Sequence, residues 1–198
     1  MPETLKRGKR RGEVFETAGR VFFAKGYEAA SIQDIADELG MLKGSLYYYI
    51  STKEDLLAEI VQSYHDETRA YFEQILASNE PVVSKLRRFI ETETAHTAHH
   101  IVKSSLFFTE WRSVSPERQA AIVAERDRHD HFVQDCIIQA QRLGAFRADV
   151  DPRIASYGVL GMVNSVYRWY RADGPNTAEE IGHEFAELLI RGLTVAQD

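Results

Sequence analysis

Cysteine is almost missing from this chain. Cys136 stands alone among 198 residues, so no disulfide can close within the chain and no cysteine-rich metal cluster can form. A reducing, cytoplasmic setting suits that usage. Long apolar runs are missing too, and no stretch is long enough to span a bilayer, so no membrane partner is expected. The first residues are basic and polar and lack the apolar core of a secretory leader. Glycine-rich phosphate loops after a strand and the G-x-S-x-G nucleophile elbow are not found. Cys136 has His131 nearby, but its surroundings read as an ordinary helix, which fits a buried structural thiol better than a nucleophile. An enzyme is therefore not expected, and no cofactor is called for.

Positive charge is scarce overall, with a net charge of −6, which by itself argues against a nucleic-acid partner. Its distribution reverses that argument. Residues 1–53 carry nine Lys and Arg against seven Asp and Glu, a net of +2, and residues 54–198 carry −8. Lys6, Arg7, Lys9, Arg10 and Arg11 crowd one end. Phosphate attraction depends on a local basic surface rather than the whole-chain total. A solvated, disordered tail is the competing reading of that cluster.

What the chain has in quantity is helical period. Val14, Phe15, Ala18, Val21 and Phe22 share one face of a first helix that Gly26 ends. Ser31 suits the N-cap of a second helix with Ile32, Ile35, Ala36 and Leu39 inward. Gly40 breaks the pattern, and a short third segment runs from Leu42 to about Tyr49. Ser51 or Thr52 caps a long fourth helix reaching about Ala77. Pro81 and Pro116 open further helices, the latter ending at Leu143 and Gly144. Asp151-Pro152 starts another, expected to end near Arg171, and Thr177 caps a last one ending near Leu193. The expected fold is all-α, with about nine helices: a three-helix head over residues 1–53 and a helical-bundle body over 54–198.

Residues 31–53, SIQDIADELGMLKGSLYYYISTK, read as a helix-turn-helix. The second helix of such a motif must be short and exposed enough to enter a major groove about 12 Å wide. Met41, Leu46 and Ile50 point inward; Lys43, Ser45, Tyr48 and Tyr49 point outward, and Gly44 permits close backbone approach. Three adjacent tyrosines on a helix cannot all face inward. An exposed aromatic beside Lys and Ser suits phosphate and base-edge contact.

Gly40–Tyr49 followed by Ser51-Thr52-Lys53-Glu54, together with Phe22–Tyr27 and Ile32–Ala36, resembles the signature of the tetracycline-repressor (TetR) family of transcriptional regulators. By position, the resemblance implies phosphate contacts for Ser31, Tyr47 and Lys53. It places Gln33, Lys43, Gly44, Ser45, Tyr48 and Tyr49 in or beside the groove. Tyr49 stands where many relatives have His, and Ile50 where many have Phe. The resemblance further implies a ligand-responsive repressor that binds a palindromic DNA operator, senses a small-molecule effector and forms a homodimer through its last two helices. Gly158, Gly161 and Ser165, and the stripe Ile181, Phe185, Leu188 and Leu189, suit such a helix–helix contact. Intrachain packing is the alternative.

A narrower resemblance lies in the body. Gly144–Arg147, Asp149–Pro152, Tyr167–Arg171, Asp173–Pro175, Pro116–Arg118 and Arg126-Asp127 are similar to regulators of fatty-acid, steroid-ring and aromatic-acid catabolism that sense acyl-CoA thioesters. The implied effector is an acyl-CoA. Leu106, Phe107, Phe108 and Trp111 would line a pocket for its apolar tail. Arg168 and Arg171 would meet phosphates, and Trp169 or Tyr170 would stack on adenine. The same aromatics at helical spacing equally suit plain core, and the arginines a helix C-terminus. Two further readings compete for the effector: a free hydrophobic molecule, or a metal held by His96, His99 and His100, whose i, i+3, i+4 spacing can chelate. No metal ligand set is assigned, because no Cys or paired carboxylate completes it nearby in sequence.

Overall fold

A computed structural model describes residues 3–195, with side chains from Gly8 onward. Nine α-helices form among the described residues: α1 Glu3–Lys25, α2 Ile32–Glu38, α3 Lys43–Leu46, α4 Lys53–Ala77, α5 Val82–His99, α6 Ile101–Thr109, α7 Pro116–Arg142, α8 Pro152–Asn164 and α9 Ala178–Leu193. Short 3-10 turns cover Trp111–Ser113 and Val166–Arg168. The one inter-strand-type pairing found is a single antiparallel bridge between Phe146 and Thr194. The all-α expectation holds.

The helix starts follow from side-chain caps. At α2 the Ser31 hydroxyl accepts the Asp34 amide while the Asp34 carboxylate accepts the Ser31 amide, satisfying two donors that a helix N-terminus leaves open. Thr52, not Ser51, does the same for α4 with Asp55. Thr177 and Glu180 repeat the device at α9, and Asp151 caps α8 ahead of Pro152. Gly26 and Gly40 end their helices at φ of +81° and +61°, where a side chain would be strained.

The chain divides into two compact units. One runs to His65 and takes in Val102–Ala120. It therefore extends past the boundary expected after residue 53. Leu56, Leu57, Ile60, Val61 and Tyr64 of α4 are buried, and the Tyr64 ring packs 5.1 Å from Phe107 of α6. The other unit holds Asp66–Ile101 and the chain from Ala121 on. Its core joins Phe72 and Ile75 of α4, Leu86, Phe89 and Ile90 of α5, Phe132, Val133 and Ile137 of α7, and Val159, Val163, Ala186 and Ile190 of α8 and α9.

Three boundaries differ from expectation. The segment opened by Pro81 breaks at His100, whose φ of −119° and ψ of 42° leave the helical region. The third helix is only four residues, and Tyr47–Tyr49 continue as turns in which Tyr48 and Tyr49 amides bond the Ser45 and Leu46 carbonyls. The helix expected to reach Arg171 stops at Asn164. There Ser165 bonds back to the Met162 carbonyl through both its amide (3.2 Å) and its hydroxyl (2.9 Å), and the chain tightens into a 3-10 turn.

Candidate functional site

The helix-turn-helix presents a defined outer surface. Leu46 and Ile50 are buried and anchor the segment, while Met41 is half-buried. The Met41 amide reaches back to the Ala36 carbonyl at 2.9 Å, which ties the turn to α2. Lys43, Gly44 and Ser45 are exposed. Tyr47 and Tyr48 are 49% and 62% exposed, so the tyrosine run is not core. Tyr49 is half-buried, and the Tyr48 ring meets it edge-on at 5.2 Å. Among the described residues, and apart from its chain neighbours and its own helix backbone, nothing lies within 4 Å of where a Cβ would stand on Gly44. The surface thus combines hydroxyls, an ammonium group and aromatic faces around a short helix.

On α2 the polar groups have local partners. Gln33 donates to the Asp37 carboxylate at 2.7 Å. Lys25 bonds Asp34 at 2.6 Å, and with the Ser31 hydroxyl and amide it holds the Asp34 carboxyl down to about 2. Lys53 donates to the carbonyls of Ala30 (2.8 Å) and Glu28 (3.3 Å), with its ammonium 4.3 Å from the Tyr27 ring centre. It therefore clamps the α1–α2 loop as well as standing at a position matched to a phosphate contact. In the basic cluster, Lys9 is exposed, Arg10 pairs with Glu13, and Arg11 pairs with Glu59 and lies over Phe15. These residues sit on α1, a helix rather than a loose tail. The side chains of Lys6 and Arg7 lie outside the described residues.

The expected effector residues fall into both units. Leu106 and Phe107 are buried and Phe108 and Trp111 half-buried; Tyr64, Phe107 and Phe108 form an aromatic cluster. Arg168, Trp169 and Arg171 are exposed on and just after the 3-10 turn that follows α8. The Arg168 Nε donates to the Tyr167 hydroxyl (2.9 Å), Trp169 rests 6.0 Å from Phe185, and Arg171 pairs with Asp173. A cleft of about 470 Å³ in the second unit involves none of them; Phe72, Val82, Lys85, Arg128, His131 and Cys136 are among its lining. Burial pushes the Cys136 thiol up to about 12, the wrong direction for a nucleophile.

The second unit also buries carboxyls. Glu93 on α5 accepts a hydrogen bond from the Tyr71 hydroxyl, and burial raises its pKa to about 7. Glu125 is buried beside Arg128 and Arg69. At the opposite extreme, α8 and α9 expose apolar groups: Ile154, Tyr157 and Leu188 are 66%, 47% and 63% exposed, and Gly158 and Gly161 are open to solvent. The buried side of α9 is Ala178, Gly182, Ala186 and Ile190. The large stripe Ile181, Phe185 and Leu189 is only half-covered.

Two functional candidates escaped the sequence. Leu42, 80% exposed at the N-cap of α3, adds an apolar side chain to this surface; its place in an otherwise apolar-looking Met41-Leu42 pair hid it. Glu67 lies against His96 and His100, a contact between helices that no spacing reveals.

The comparisons agree with this geometry. Residues 14–60 match the profile of the bacterial regulatory proteins of the tetR family, and residues 79–193 match the tetracyclin repressor-like C-terminal domain. The transcriptional repressor KstR2 of Mycobacterium tuberculosis is 26% identical over 186 residues, 93% of each chain. Its structure, that of a ketosteroid transcriptional regulator, superposes with a TM-score of 0.89 at 27% identity over 94% of this chain and 96% of that one. PfmR of Thermus thermophilus gives 0.80 at 35% identity, covering 92% and 99%. AibR, solved with isovaleryl coenzyme A and operator DNA, gives 0.78 at 27% identity, covering 91% and 98%. With both its DNA-binding and its C-terminal domains matched, this chain belongs to the TetR family of transcriptional regulators.

Proposed function

We propose that the protein is a homodimeric repressor that holds a palindromic operator and is released from it by an acyl-CoA thioester. The observation that carries the DNA-binding part is the solvent-facing set Leu42, Lys43, Ser45, Tyr47 and Tyr48 around a helix pinned by fully buried Leu46. Such a set contacts phosphates through hydroxyl and ammonium groups and thymine methyls through carbon. Gln33 and Tyr49 border it, and Ser31 and Lys53 serve both as local clamps and as phosphate contacts. The dimer is supported by the exposed face of α8 and α9, where Ile154, Tyr157, Gly158 and Gly161 recur at helical spacing beside Leu188. Two such pairs bury one another's apolar faces in a four-helix contact.

The effector class is supported by the likeness to AibR, whose structure holds isovaleryl coenzyme A, and by an exposed group of two arginines and an indole at Arg168, Trp169 and Arg171. Guanidinium groups pair with phosphate and an indole stacks on adenine. Leu106, Phe107, Phe108 and Trp111 supply apolar surface for an acyl tail.

Operator release tests the whole reading. DNA from upstream of the protein's own gene is followed by fluorescence anisotropy while CoA thioesters are titrated beside their free acids. Release by a thioester and not by its acid is expected, and Arg168→Ala is expected to keep operator binding while losing that response. Tight DNA binding with no response to any thioester would overturn the effector assignment.

A further inference from the structure

We propose that Glu67 of α4, His96 of α5 and His100, the residue that caps the C-terminus of α5, form a binding site for a divalent transition-metal ion of the zinc class. One ligand atom from each of the three lies within 4.8 Å of the other two. A four-coordinate zinc site with bonds of about 2.0–2.2 Å separates its donor atoms by roughly 3.4 Å. The His100 Nε2 and Glu67 Oε2 already stand 3.4 Å apart, so two of the three donors have that separation as the chain is folded. Two imidazoles and one carboxylate are a donor set that suits zinc, nickel and copper and leaves one position open for water or an effector oxygen.

The local architecture favours these two histidines over the others. His96 and His100 are one helical turn apart, so their rings face the same side; the ring centres are 4.6 Å apart at 33°. In their neutral form, two imidazoles so placed can each offer a nitrogen lone pair to one shared cation. The Tyr71 ring meets His96 edge-on at 5.2 Å, and the Tyr71 hydroxyl is held by Glu93. That arrangement fixes the His96 ring plane, as groups behind metal ligands do. His99, between them in sequence, is exposed and pairs with Glu179 at 3.2 Å. His129 packs on Phe72 and Phe89. His100 and Glu67 are half-buried, which leaves the ion a way in. The site stands on its own geometry and does not depend on which small molecule releases the operator.

Cobalt titration of the full chain tests it. The expected result is one Co²⁺ per chain with the intense visible bands of four-coordination, displaced by Zn²⁺. Affinity is expected to fall by at least about tenfold in Glu67→Gln and in His100→Gln and to be unchanged in His99→Gln. Circular dichroism checks that each variant folds. Should a variant not fold, the wild-type chain still decides: of its seven histidines, two are expected to move their ring-proton NMR signals in slow exchange with one equivalent of Zn²⁺. No stoichiometric binding, unchanged affinity in both folded variants, or no paired histidine shift would overturn the site and leave Glu67 and His100 a simple ion pair.

Discussion

The two compact units treat the same chemistry in opposite ways. In the DNA-reading unit the carboxyl of Asp34 sits at the surface, ringed by Lys25 and Ser31, and is held ionised to about 2. In the body unit the carboxyl of Glu93 is buried on α5 and pushed up to about 7. The first unit uses polar groups chiefly as caps and clamps, and it buries Thr17, His65 and Ser104. The second buries polar groups (Glu93, Thr94, Thr97, Glu125 and Ser156) and exposes carbon at Leu143, Ile154, Tyr157 and Leu188. A buried polar group costs stability unless it is matched, and an exposed apolar patch marks a contact surface. Both features lie in the unit for which an effector and a second chain are proposed.

The sharpest way to break that contrast is to charge the exposed face of the body. Leu188→Glu is expected to leave the fold intact and convert the dimer to a monomer in sedimentation. Operator affinity is expected to fall toward the non-specific level, a loss on the order of a thousandfold or more. A dimer surviving this change would place the interface elsewhere.

A smaller effect concerns the buried carboxyl. Glu93 holds its proton more tightly when folded than the ordinary value of 4.5 allows. Its neutral form stabilises the fold fully below pH 4.5, and that contribution is lost as pH rises through about 7. The loss is on the order of 3 kcal/mol. Glu93→Gln is expected to flatten the fall in urea midpoint across that window. An unchanged pH profile would mean that another group sets it.

The smallest effect belongs to Lys53 in the reading unit. Lys53→Ala removes two carbonyl contacts and is expected to lower thermal stability by about 1 kcal/mol. It is also expected to reduce the slope of log affinity against log salt by about one. A stability loss with the slope intact would make Lys53 a clamp alone.

What was legible in the sequence was whatever rests on neighbours along the chain. The caps at Ser31, Asp151 and Thr177, the turns at Gly26, Gly40 and Gly144, and the exposed tyrosines beside Lys43 follow from local rules. Boundaries without such punctuation were not legible. No Gly or Pro lies within two residues of His100 or Asn164, and the apolar period runs on through Val166 and Tyr167. The inward face of α9 was not legible, because it is made by small residues, Ala178, Gly182 and Ala186, and by Ile190, while the bulky stripe beside them stays half-open. The Arg147–Val150 segment, which bears part of the acyl-CoA-regulator likeness, also serves the fold. The Arg147 amide bonds the Leu193 carbonyl at 2.8 Å, and the side chain of Gln141 binds the carbonyls of Arg147 and Val150.

At Gly182 the backbone of α9 approaches α5 so closely that a Cβ would stand 2.9 Å from the Glu91 carbonyl oxygen. Arg87 to Glu187 and His183 to Glu91 pin the same pair of helices at neighbouring turns. With no slack at that seam, even a single methyl group at position 182 would force α9 away from α5 and strain both of those pairs.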